Sequence, residues 1–280
     1  MIKIEHVVLA SPEQMEFIIE GMRNPMNSWE KSDSTFEYAS YELVDYDIGT
    51  KDLELMQRLS NAGTDHRKFM RMMPVYVRIT APLYWWKEFD TYKIGTVANS
   101  CSTMHKIQEN EFTLEDFSTE HLLGWNDNFT ADCVVDYGHT PDGYPSGKVP
   151  IDILNSTIKM LNEARDKYIN GVDRGGSLKT RKEKDIWWQM IQLLPSSYNQ
   201  TRNVMMNYEV LANIYKSRKD HKLDEWREFC KWIEQLPYGD LIVGVRDMLM
   251  SLNERRRKMG LEPIKDDPVM MVKADYKRRK

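Results

Sequence analysis

This sequence predicts an α/β (α+β) fold, a central mixed sheet joined to a large helical C-terminal portion, and three observations lead there. The segment IKIEHVVLA reads as a strand that runs directly into SPEQMEFIIEGMRN, which reads as a helix. PVYVRITAP alternates, with Val75, Val77 and Ile79 on one face, as a half-buried strand does. From Pro150 onward the pattern is almost entirely helical.

Each element has a local reason. In the first helix Ser11 is the N-cap, Pro12 occupies the first helical position and Gln14 closes a capping box. KDLELMQRLSNAG reads as a second helix stopped by Gly63. LYWWKEFDTYKIGTVANSCSTMHKI begins helical and becomes irregular around Gly95. The stretch 126–150, rich in Gly, Pro, Asp and Asn, reads as an excursion. The expected organisation is one domain over 1–280 with an insertion at about 108–150. Later helices are expected over 151–169, 180–194, 201–218, 223–236 and 239–259.

Bulk properties exclude several classes. The 280 residues are 41% hydrophobic and 29% charged, ordinary for a soluble globular protein with a proper core. A formal charge of −4 gives no global field to recruit nucleic acid. Two local basic clusters stand out, Arg255 to Lys258 and Lys277 to Lys280; the first suits a helix C-terminus and the second a solvated tail. Three scattered cysteines, Cys101, Cys133 and Cys230, form neither a disulfide framework nor a zinc motif, so a reducing cytoplasm is expected. MIKIEHVVLASPEQ lacks the apolar core of a signal peptide, and no apolar run approaches the roughly 18 residues of a membrane span.

Most chemical motifs fail on spacing. GVDRGGSLKT lacks the adjacent Gly-Lys-Thr of a phosphate-binding loop and reads as a helix–helix connection. The six histidines show no metal-ligand spacing, so no metal is expected. Cys101 and His105 would meet on a helix but have no third orienting group. The doublets Trp85–Trp86 and Trp187–Trp188 read as core or interface packing.

YNQTRNVMMNYEVLANIYKSR is the most informative segment. Read as a helix, it places Asn207, Leu211, Ile214 and Arg218 on one stripe, with Asn207 and Arg218 about three turns apart. Amides and a guanidinium among aliphatic residues suit a wall facing a polar, anionic ligand. The plainer reading is a solvent-facing helix edge.

Two stretches, APLYWWKEFDTYKIGTVANSCST and LPSSYNQTRNVMMNYEVLANIYKSRKDHKLDEW, resemble the flavin-dependent thymidylate synthases. In that family a Gly-His precedes a strand, an Ala-Pro follows it, and the signature RHRxxSxNExSxR comes next. Here His66, Ala81-Pro82 and the expected segment follow at similar distances. Thr91, Tyr92 and Lys93 stand at the Arg-His-Arg positions, Thr96 at the first Ser, Asn99 at the Glu, Cys101 at the second Ser and Thr103 at the last Arg. A one-residue shift aligns Asn99 and Ser102 with the family Asn and Ser instead. Glu88 stands for a glutamine that contacts the uracil nucleotide, and Glu209 for an arginine that contacts FAD. Asn207 and Asn213 fall on two helix asparagines, and Arg218 on the arginine that holds the dUMP side of the site.

The resemblance implies a homotetramer with composite sites, converting dUMP to dTMP with FAD, NADPH and methylenetetrahydrofolate. It implies flavin contacts from His66, Lys93, Asn207 and Asn213. It implies pyrimidine-nucleotide contacts from Glu88, Asn99, Cys101, Ser102 and Arg218, with Arg218 as the catalytic candidate. Two functional readings stay open: a divergent enzyme of this kind, and a catalytically inactive nucleotide-binding or regulatory module on the same fold. A structural or nucleic-acid-binding role is a third.

Overall fold

A computed structural model of the protein describes residues 2–125, 135–139, 141–142, 145–170 and 179–264. Its strands are β1 (Lys3–Leu9), β2 (Thr35–Ala39), β3 (Glu42–Asp47), β4 (Pro74–Pro82), β5 (Val97–Ser100), β6 (Val135–His139), β7 (Pro145–Lys148) and β8 (Asn199–Asn207). Its helices are α1 (Pro12–Arg23), α2 (Thr50–Asn61), α3 (Leu83–Phe89), α4 (Pro150–Asn170), α5 (Lys179–Leu193), α6 (Tyr208–Arg218), α7 (Asp224–Ile233), α8 (Asp240–Val243) and α9 (Val245–Lys258). The main sheet has four strands in the order β1-β4-β8-β5, and two antiparallel hairpins, β2–β3 and β6–β7, form separate ribbons. The α/β class read from the sequence is thus the observed one.

The chain divides into two compact units. The first comprises 80–88 and the described part of 100–202. Its core gathers Ile107, Phe112, Phe117, Leu154, Leu161 and Met190, so the segment expected to be an insertion contributes core side chains. That segment is also strapped to α4. The Asn162 side chain accepts from Phe112 N–H and donates to Phe112 C=O, both at 2.8 Å, and Arg165 donates to the carbonyl oxygens of Gln108 and Glu109. Residues 126–134 of the expected excursion, and 171–178 of the Gly-rich connection, lie outside the described residues.

The second unit comprises 2–79, 89–99 and the described part of 203–280. α1 begins with the expected capping box, and β4 buries Val75, Val77 and Ile79 as its alternation requires. Its most demanding polar feature is an ion pair between α1 and α2. Arg23 Nε lies 2.6 Å from Asp52 Oδ1, with side chains 5% and 0% exposed. Asp52 Oδ2 accepts from the hydroxyls of Ser32 and Ser34 and from the backbone N–H groups of Asp33 and Ser34. Asp33 in turn caps α2 from a distance, accepting from Lys51 and Asp52 N–H. The close approach explains Gly49: a Cβ there would fall 2.0 Å from Asp33 Oδ1.

The structure corrects three sequence expectations. The helix expected over 201–218 is two elements, since residues 199–207 pair between β4 and β5 and helix begins only at Tyr208. The helix expected over 239–259 breaks at Gly244 into α8 and α9. The segment around Cys101 and His105 is turn and bend, so it does not present the two on one helical face. The hairpin β2–β3 carried no sequence signal strong enough to be read. Among the described residues no helix is long and apolar enough to cross a membrane.

Burial pushes the pKa of Asp52 up, but the hydrogen bonds from Ser32, Ser34 and Arg23 and the Arg23 charge outweigh it, so the net shift is downward. A carboxyl with a lowered folded pKa contributes stability above its unfolded value of about 3.9 and loses it as pH falls through the folded value. Two outcomes are expected in urea unfolding. Asp52→Ala strands Arg23 and costs about 3–5 kcal/mol at neutral pH. Asp52→Asn is also destabilised at neutral pH, and its stability falls less than wild type between pH about 5 and pH about 2.

Candidate functional site

The residues that carried the strongest sequence signal gather around α6, within the second unit. Asn207 ends β8 in extended conformation (φ −138°, ψ 171°), and its side-chain oxygen accepts from Val210 N–H at 3.0 Å. It is therefore the N-cap of α6, a role that satisfies one of the helix's otherwise orphaned donors. The loop of 89–99 lies against this corner. Gly95 has φ +78°, and a Cβ there would meet Asn207 Nδ2 and Val210 Cγ2 at 3.2 Å, so this position favours glycine on two counts. The two stretches that carried the resemblance thus approach each other at Gly95 and Asn207.

Leu211 and Ile214 are fully buried, so the middle of the expected stripe is core, not ligand wall. At the other end of α6, Arg218 is half-buried against aromatic rings. Its guanidinium carbon lies 4.8 Å from the Trp226 ring centroid and 5.8 Å from that of Tyr92. Nε donates to the Tyr92 hydroxyl at 3.0 Å, and Nη1 lies 3.0 Å from His221 Nε2. The other ring nitrogen, Nδ1, faces Leu223 N–H at 3.2 Å. A neutral imidazole has one lone-pair nitrogen, so His221 accepts from Leu223 or from Arg218 but not from both. Trp226 is fully buried and packs with Phe89 and Phe229, which makes the floor under Arg218 rigid. Stacking on aromatic faces leaves a guanidinium oriented while its edge still meets polar partners.

The opposite flank of α6 carries charge that sequence reasoning missed. Glu209, buried in the first turn, lies 3.1 Å from Arg67 Nε and 3.9 Å from Arg71 Nε. The first approach is ionic without hydrogen-bond alignment, since both of its atoms are buried and lack a hydrogen-bond partner. Arg67 Nη2 also donates to Asn213 Oδ1 at 3.1 Å. Two arginines against one carboxylate make this rim net cationic, although position 209 itself is acidic. Where the resemblance expects an arginine the sequence has Glu209, and Arg67 and Arg71 bring two guanidinium groups there only in the sense that both lie against that carboxylate. Their only sequence signal was a pair of arginines spaced by four next to His66, whose own side chain is exposed. Lys93 is likewise exposed.

The other candidates sit elsewhere. Glu88 is half-buried on α3 in the first unit. Cys101 and Ser102 line a cavity of about 520 Å³ in the first unit, with Thr80, Thr201 and Gln200. Lys106 shares that lining with Glu109, Glu115 and Asp116, an acidic balance that disfavours a phosphate. Asn99 lines a smaller recess of about 230 Å³ beside β1, β4 and β8, with His6, Tyr76 and Arg78. Of the two described cysteines, Cys101 is exposed and Cys230 buried. Burial pushes the Cys230 thiol up to about 12, which rules it out as a ready nucleophile.

The arrangement is that of the flavin-dependent thymidylate synthase fold. It matches thymidylate synthase X from Helicobacter pylori, solved with FAD and dUMP, at a TM-score of 0.51 and 16% identity over 86% of this chain and 95% of that one. A second structure of that enzyme, complexed with the same two compounds, gives 0.50 and 16% over the same shares. A UMP/dUMP methylase, PolB, from Streptomyces cacaoi, bound with 5-Br dUMP, gives 0.48 and 15% over 84% of this chain and 88% of that one. No protein-family model and no curated protein matches the sequence. What is shared at this identity is the fold.

The cap at Asn207 is open to test. Asn207→Ala is expected to cost about 1 kcal/mol in chemical denaturation, and Asn207→Asp to recover most of it. An alanine variant as stable as wild type would return Asn207 to the role of a pure ligand contact.

Proposed function

We propose that this chain is a divergent enzyme of the flavin-dependent thymidylate synthase fold that acts on a pyrimidine nucleotide, converting dUMP to dTMP or performing a related one-carbon or hydride transfer. The observation that supports this reading is the half-buried Arg218, stacked on Trp226 and held by Tyr92, at the position where the resemblance places the dUMP-holding arginine. A pre-oriented guanidinium is well suited to a nucleotide phosphate, because little ordering remains to be done when the ligand arrives.

FAD would be held on the other flank. Arg67, Arg71 and Asn213 would meet its phosphates, with His66, Lys93 and the Asn207 corner nearby in sequence or space. When bound, the flavin supplies the hydride chemistry. NADPH and methylenetetrahydrofolate belong to the same reading, as do a homotetramer with composite sites and a cytoplasmic setting. Asn99, and the Cys101–Ser102 cavity with its acidic lining, are secondary in this reading, which rests on Arg218.

One observation favours the inactive nucleotide-binding module instead. Glu209 consumes much of the Arg67 and Arg71 charge that a flavin pyrophosphate needs. The two readings separate on purified protein. The enzyme is expected to carry or take up flavin, with visible flavin absorbance, and to be stabilised by dUMP. A ligand at about 100 times its Kd contributes about 2.7 kcal/mol. Arg218→Ala should abolish the dUMP-induced rise in Tm while leaving the circular dichroism unchanged. A colourless protein that dUMP stabilises selects the module, and a protein indifferent to both compounds removes both readings.

A further inference from the structure

One cavity that the proposed function leaves unused lies in the second unit, where α9 faces α6 and α7. It encloses about 800 Å³, within the range of small-molecule sites. Five cations line it: Lys219 after α6, Lys231 on α7, and Arg255, Arg257 and Lys258 on α9. Three carboxylates, Asp220, Glu234 and Glu254, leave two positive charges in excess.

A helix end alone explains part of this, because cations in the last turn of α9 offset its dipole. It does not explain Lys231, which comes from a different helix, nor the state of Arg255. Arg255 Nε and Nη2 are buried and have no hydrogen-bond partner among the described residues. Two buried guanidinium donors without an acceptor are costly, and a turn of the Arg255 side chain toward an anion in the cavity that it lines would relieve that cost. The carboxylates present do not supply that anion. Glu254 is exposed and engaged by Lys258 at 2.9 Å. Its pKa is held below the usual carboxylate value by that hydrogen bond and by the charge of Lys258, with Lys231 and Arg257 adding to the effect. Glu234 accepts from the Tyr215 hydroxyl.

We propose that this cavity binds a small polyphosphate, a compound carrying two or three linked phosphate groups, with the buried Arg255 donors as its anchor and Lys231 and Arg257 as flanking cations. Linked phosphates match both features: several acceptor oxygens for an oriented guanidinium, and enough charge to use cations spread over two helices. A single carboxylate would leave the flanking cations unused. The site is separate from Arg218 and does not depend on the nucleotide reading given above.

The test is calorimetric titration of the full-length protein with inorganic tripolyphosphate, pyrophosphate and UTP. Wild type is expected to bind tripolyphosphate more tightly than pyrophosphate, with affinity that falls as salt rises. Arg255→Gln should raise the Kd for tripolyphosphate by about tenfold or more, with unchanged circular dichroism. Arg257→Gln, at an exposed position where folding is not at stake, should weaken it by a smaller factor. UTP binding with the same Arg255 dependence supports the site whether its base adds affinity or not. Failure of wild type to bind any of the three, or an unchanged Kd in both variants, overturns the proposal.

Discussion

β8 pairs between β4 and β5, and at Asn207 its backbone turns from sheet into helix. Everything at the candidate site follows from that junction. The strand fixes where α6 begins, the Asn207 cap fixes its first turn, and Gly95 allows the neighbouring loop to close on the same corner. Because α6 is only 11 residues long, fixing its start also fixes Arg218 at its end. The tyrosine that bonds Arg218 comes from the same loop as Gly95. A junction of this kind is robust, because strand pairing, a side-chain cap and buried Leu211 and Ile214 all require the same register.

The electrostatics of the two flanks differ in kind. Arg218 lies over the Tyr92 and Trp226 rings and donates to the Tyr92 hydroxyl. Arg67 is oriented by a carboxylate, which holds it at the expense of its charge. The proposed nucleotide contact rests on Arg218, and the Glu209 carboxylate beside Arg67 and Arg71 is what favours the inactive-module reading over a flavin enzyme.

The first unit adds a separate lesson. The segment from about 108 reads as the start of an insertion, yet Phe112 and Phe117 enter the core and Asn162 clasps the Phe112 backbone through two hydrogen bonds. Loop composition describes local backbone preference, and it is silent about where single aromatic side chains go. The cavity holding Cys101 and Ser102 belongs to this unit, and the charged groups in its lining, Lys106, Glu109, Glu115 and Asp116, come from one short stretch of chain.

Local physics was legible in the sequence by itself. The capping box at Ser11 and Gln14, the buried face Val75–Val77–Ile79 and the helices expected over 151–169 and 180–194 depend on residues within a few positions of each other, and the structure holds them as expected. β8 was not legible, because Met and Asn are weak strand formers and its apolar spacing also fits a helical period. Its conformation is settled by pairing with strands whose partners are far away in sequence. The pairing of Arg218 with Tyr92 across 126 residues, and of Arg67 with Asn213 across 146, was likewise beyond any local pattern. Sequence named the chemistry that the chain carries. Only the tertiary structure decided which of those groups meet, because charges act through space and not along the chain.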